Sequence, residues 1–153
     1  MFSDLLATTS SSTVDYPISD SNLPFSDYIA KTKAIIIDRR TDLEQNPAAE
    51  CIIAANSPYE LYPANPIRSG NKLKYGILLI HGLLDSPFSL RDIGDHFQQA
   101  GMLVRSILLP GHGTTPGDLL NVSYHDWLQA VRYGANSLRH DVESIYLVGY
   151  STG

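Results

Sequence analysis

The chain has 153 residues, 43% of them hydrophobic and 18% charged, which suits one soluble globular domain with a core of its own. Its net charge of −5 gives no electrostatic reason to expect nucleic acid or an anionic membrane as a partner. Cys51 is the single cysteine, so no intramolecular disulfide can form, and no apolar run is long enough to span a bilayer.

Residues 1–24 are rich in Ser, Thr and Asp, with a polar run at Ser10-Ser11-Ser12-Thr13. They are expected to form a disordered leader. They contain no basic segment followed by an apolar core, so they do not read as a secretory signal and the cytoplasm is the default location. Residues 25–74 are expected to form a helical N-terminal extension and linker. Ser26 is a candidate N-cap, Asp27 suits the first turn and Arg39-Arg40 the last, with Ile29, Ile36 and Ile37 on the packing side. A second helix is predicted from Pro47 through Ala55, then a short extended piece at Tyr59 to Tyr62. The breakers Pro63, Pro66 and Gly70 make residues 63–74 the best domain boundary.

From Tyr75 the pattern becomes regular. Ile77-Leu78-Leu79-Ile80 is a continuous apolar run, as a strand buried on both faces requires. Ser86-Pro87 opens a helix carrying Leu90, Ile93 and Phe97 and ending at Gly101. Met102 to Leu109 is a second strand, stopped by Pro110-Gly111. Ser123 with Asp126 resembles a capping box, and the helix behind it carries Trp127, Leu128, Val131, Ala135 and Leu138. Ile145 to Val148 is a third strand. These spacings predict a βαβαβ core with a parallel sheet covered by helices.

Chemistry concentrates at the ends of the strands. Gly149-Tyr150-Ser151-Thr152-Gly153 follows the third strand directly and spells Gly-x-Ser-x-Gly, the nucleophile elbow. A serine hydroxyl needs a base to take its proton and donors to hold the oxyanion that forms. Ser151 is the candidate nucleophile. After the first strand comes His81-Gly82-Leu83, where Gly82 allows close approach and the backbone N–H of Leu83 can point at an oxyanion. The N–H of Thr152 would be the second donor. His81, Gly82, Gly149 and Gly153 are supporting residues, with His81 bracing the oxyanion loop.

His112 reads as an orienting residue of the Pro110-Gly111-His112-Gly113 turn. His96, His125 and His140 read as surface or capping residues, and Asp85 and Asp118 as loop carboxylates satisfying backbone amides. Trp127 reads as core and Cys51 as inert. No histidine pair has zinc-site spacing, so neither metal nor cofactor is expected.

The order strand-His81-Gly82, then Leu109-Pro110-Gly111-His112-Gly113, then Gly149–Gly153 resembles the N-terminal half of an α/β-hydrolase. It is most similar to the serine esterase and lysophospholipase branch, with monoacylglycerol lipases, carboxylesterases and serine-aminopeptidase (S33) domains. The resemblance covers residues 75–153. It implies an α/β fold whose first strand lies between the other two, and an acyl-enzyme mechanism on carboxylic esters, small or acyl-lipid. Amide or peptide bonds, thioesters and acyl transfer are alternatives for the same machinery. The family's acid and histidine follow the serine, and no residue here matches either. The chain is therefore expected to be a fragment truncated after the elbow and inactive alone, or a non-catalytic binding module.

Overall fold

The computed structural model describes residues 14–153. Nine regular elements follow in order. They are α1 (Phe25–Arg39), α2 (Ala49–Asn56), β1 (Tyr59–Leu61), β2 (Arg68–Ser69), β3 (Lys72–Ile80), α3 (Arg91–Gln99), β4 (Leu103–Ile107), α4 (Tyr124–Arg139) and β5 (Val142–Gly149). Short 3₁₀ turns lie at Thr41–Leu43, Pro87–Leu90 and Pro116–Asn121.

The sheet is mostly parallel. β3 lies between β4 and β5 and runs parallel to both, with Ile80 opposite Ile107 on one side and Gly149 on the other. β1 adds an antiparallel strand outside β4, and β2 pairs antiparallel with the first residues of β3. β3 is central because its apolar run is continuous. Leu78 and Ile80 enter one core with Leu103, Ile107, Tyr133 and Leu138, while Ile77 and Leu79 enter a second with Leu61, Leu90 and Val104. Alternating side chains thus bury both faces, α1 and α4 covering the first and α3 the second. No described helix is long and apolar enough to cross a membrane.

The predicted βαβαβ core is present, with β3 and β5 longer and β4 shorter than the sequence suggested. At the start of α4 the Ser123 N–H donates to the Asp126 carboxylate at 2.7 Å, as the capping pattern predicted. The N-terminal region differs more. α1 begins at Phe25 with Pro24 before it and no side-chain cap, so Ser26 is not the N-cap. Its buried face is Phe25, Tyr28, Thr32 and Ile36, whereas Ile37 is 49% exposed. The two predicted isoleucines Ile36 and Ile37 are adjacent, and adjacent helical residues point about 100° apart.

No separation occurs at residues 63–74. β1 joins the sheet through β4, and β3 already begins at Lys72. Leu23, Phe25 and Tyr28 share the core of the sheet and α4. Residues 1–13 of the expected leader lie outside the described residues, but residues 14–24 rest against the body. The Gly111 N–H donates to the Tyr16 hydroxyl at 2.7 Å, the Tyr133 hydroxyl donates to the Leu23 carbonyl at 3.0 Å, and Ile18 packs on the core. A composition rich in Ser, Thr and Asp hides these few anchoring residues.

Tyr28 is the deepest link between α1 and the sheet. Its ring contacts Phe25 and Tyr133, and its hydroxyl donates to the Leu108 carbonyl and accepts from the Leu108 N–H. Tyr28→Phe removes one oxygen and leaves both backbone groups of a buried residue unpaired. It is expected to lower unfolding free energy by about 2–3 kcal/mol, read from urea denaturation midpoints at constant slope.

Arg105 is the other unforeseen tie. It is buried in β4, donating to Glu60 at 2.6 Å, to Asp141 at 2.7 Å and to the Ser137 carbonyl, with its guanidinium over the Phe25 ring. A charge buried in a strand is tolerated because every side of the guanidinium is answered.

Candidate active site

The elbow closes as its glycines require. Ser151 sits at φ 57°, in the left-handed region where a side chain crowds the backbone. The turn is held by the Tyr150 N–H donating to the Ile80 carbonyl at 3.1 Å and the Gly153 N–H to the Tyr150 carbonyl at 3.0 Å. A Cβ on Gly149 would overlap the Gly153 carbonyl, and one on Gly153 would overlap the Ile80 carbonyl. Only hydrogen fits at either position.

The His81-Gly82-Leu83 loop lies directly against this turn, because β3 and β5 end in register. A Cβ on Gly82 would come within 3.1 Å of the Ser151 Cβ and of the Tyr150 carbonyl oxygen. The two motifs, 68 residues apart in sequence, are therefore in contact through the absence of one methyl group. Leu83 and Thr152 are both exposed, and neither backbone N–H donates a hydrogen bond among the described residues. The Ser151 hydroxyl likewise makes none.

His81 is fully buried. The Leu109 N–H donates to its Nε2 at 3.0 Å, so that nitrogen carries the lone pair, and the protonated Nδ1 donates to the Gly82 carbonyl at 2.8 Å. Burial pushes its pKa down to about 4, the Gly82 hydrogen bond only partly opposing this and nearby His112 adding to it. With both nitrogens engaged, this ring links the loop after β3 to the end of β4. It is not free to take a proton from Ser151.

The loop after β4 is braced from several sides. His112 Nδ1 lies 3.2 Å and 3.1 Å from the Leu109 and Pro110 carbonyls, so it carries the proton and donates to them. Its ring stands edge-on to His81, with centroids 5.0 Å apart. The Trp127 indole donates to the Pro110 carbonyl at 3.0 Å, so this residue supports the loop besides filling core. Asp118 pairs with Arg39 of α1 and accepts from the Thr115 N–H. Burial raises the carboxyl pKa of Asp118, but hydrogen bonds from Arg39, Thr114 and Thr115 outweigh this and hold it below the ordinary value. Asp85 accepts from the Ser86 N–H at 2.8 Å. Both carboxylates thus serve loops. His96, His125 and His140 are exposed and away from these contacts, as is Cys51. None of the five imidazoles pairs with Ser151.

Sequence reasoning missed Tyr16, Tyr28 and Arg39, which hold the β4 loop from the N-terminal side. Nothing local marks them, since their partners lie 79 to 95 residues further on. A cavity of about 270 Å³ opens between this loop and Leu84-Asp85-Ser86, with Arg40 and Asn56 on its far wall.

A mostly parallel sheet with helices on both faces, a serine elbow after one strand and a His-Gly loop against it decide the fold. The chain carries part of an α/β-hydrolase fold and is similar to lipolytic enzymes. It is 33% identical over 94 residues to a thermostable monoacylglycerol lipase of Bacillus sp. (strain H-257), a match covering 58% of this chain and 38% of that protein. A solved structure described with LipS and LipT, two metagenome-derived lipolytic enzymes, matches with a TM-score of 0.52 at 28% identity. That match covers 63% of this chain and 36% of the other. The chain therefore spans little more than a third of the length of these relatives. No family model matches it.

Proposed function

We propose that this α/β-hydrolase chain provides the nucleophile and oxyanion site of a serine hydrolase acting on carboxylic esters. The observation that supports this reading is the close approach of Gly82 to Ser151, a serine in left-handed backbone, while the Leu83 and Thr152 N–H groups that follow them have no backbone partner among the described residues. The lipolytic relatives favour an ester bond. In this mechanism the Ser151 oxygen attacks the ester carbonyl while a base takes its proton. The carbonyl oxygen gathers negative charge and accepts from the Leu83 and Thr152 N–H groups. The intermediate collapses, the alcohol leaves with a proton, and the acyl group stays on Ser151 until water releases it as a carboxylic acid.

The base has to come from outside residues 14–153, since every described imidazole is engaged elsewhere or remote. The 153-residue chain alone is accordingly expected to hydrolyse no ester. The substrate proposed is a small-molecule or acyl-lipid ester, with neither metal nor cofactor required by the chemistry.

The test is a fluorophosphonate probe, which bonds only to an activated serine. The protein purified from its natural source is expected to gain one adduct on the peptide carrying Ser151, blocked by excess short-chain ester. A natural protein that takes up no probe would sink the enzymatic reading in favour of a binding module. Probe uptake with turnover of aminoacyl amides but not esters would reassign the bond.

A further inference from the structure

Residues 14–24 were expected to be a leader, yet one of their side chains reaches the loop beside the candidate site. We propose that Tyr16 is a positioning residue, and that residues 14–24 act as a strap fixing the Pro110–Gly113 turn and, through it, the Gly82-Leu83 loop.

The contacts form one continuous path. The Gly111 N–H donates to the Tyr16 hydroxyl at 2.7 Å, holding the turn from the N-terminal side. Gly111 is at φ 82°, and a Cβ there would meet Leu119 and Val122 at 3.0 Å, so the turn is sterically tight as well as strapped. The next residue, His112, places its ring edge-on against His81. His81 then accepts from the Leu109 N–H and donates to the Gly82 carbonyl. The Gly82 carbonyl and the Leu83 N–H belong to one peptide unit, and a peptide unit is planar. Whatever sets the direction of that carbonyl therefore sets the direction of the Leu83 N–H.

The strap has its own anchors, independent of the turn. Ile18 packs on the core, Leu23 is buried, and the Tyr133 hydroxyl donates to the Leu23 carbonyl. Tyr16 thus works from a segment fixed at its other end. A phenol suits this role because it is long enough to reach the turn, and its hydroxyl accepts while its ring stays half-buried. This inference depends on the proposed function only for what the Leu83 N–H does; the path itself is structural.

Tyr16→Phe tests it, since it removes the acceptor and keeps the ring. In the full chain, amide hydrogen exchange at Gly111 is expected to quicken by about fivefold, the worth of one hydrogen bond. Amide shifts at His112, Gly82 and Leu83 should move with it. Ser137→Ala is the control, since it removes a hydrogen bond within α4 away from strap and turn and is expected to leave Gly82 and Leu83 unmoved. Unchanged exchange at Gly111, or an effect confined to Gly111, overturns the proposal, as does an equal shift at Leu83 in the control. Should Tyr16→Phe fail to fold, the unaltered chain still decides: a nuclear Overhauser contact between the Gly111 amide and the Tyr16 ring is expected, and its absence overturns the strap. In the natural protein, fluorophosphonate uptake at Ser151 should slow several-fold in Tyr16→Phe, and an unaltered rate rejects a positioning role. If the unaltered natural protein takes up no probe, the ester-hydrolase reading fails while the amide results still judge the strap.

Discussion

Ser151→Ala is expected to lower ester turnover by the natural protein by at least about 10⁴-fold with the fold retained, because no other group can form the acyl intermediate. The measurement is initial rate on a short-chain ester, with circular dichroism confirming an unchanged fold. A loss under tenfold would remove Ser151 from the chemistry. Backbone strain supplies a second readout. At φ 57° any side chain with a Cβ is disfavoured by about 1–2 kcal/mol, and alanine inherits that strain from serine. Ser151→Gly relieves it. The glycine variant is expected to be equally inactive yet about 1 kcal/mol more stable than the alanine variant. A merely structural serine would give neither the rate loss nor a strained position worth keeping.

That strain was legible in the sequence itself, because Gly-x-Ser-x-Gly after a buried strand has few other uses. The same holds for β3, whose four-residue apolar run suits a strand buried on both faces. It holds for the start of α4, where Ser123 and Asp126 cap each other locally. Such features are carried by residues close in sequence. What sequence reasoning lost is carried by distant pairs. The buried face of α1 includes Tyr28 and Thr32, so an eye for isoleucines places it wrongly. β1 was visible as an extended piece, but its antiparallel place beside β4 depends on Arg105 reaching Glu60 across the pair. Tyr16 sits in a stretch whose composition argues for disorder, and its partner is 95 residues away. The two loops that meet at Gly82 and Ser151 were therefore readable in the sequence, and the residues that support them were not.

His81 separates a supporting role from a catalytic one by pH alone. Its Nε2 is occupied by the Leu109 N–H, so a second proton must break that bond inside a site sealed from water. Folded His81 resists protonation until about pH 4, whereas the unfolded imidazole takes a proton near 6.5. Between these values the unfolded chain binds more protons than the folded one, so stability is lost as pH falls from 6.5 toward 4. The loss from pH 7 to 4.5 is expected to be about 2–3 kcal/mol, read as the drop in urea-unfolding free energy. Asp42, Asp118 and Asp126, whose carboxyls are held below their ordinary values, lose their contribution at lower pH, mostly below this window. His81→Gln supplies amide groups that do not titrate. It should be less stable than the parent at pH 7 and lose about 2–3 kcal/mol less on going to pH 4.5. Equal losses in parent and variant would mean that His81 is hydrated and titrates normally. A hydrated imidazole beside Gly82 would then be a candidate base for Ser151, and the search for one outside residues 14–153 would lose its reason.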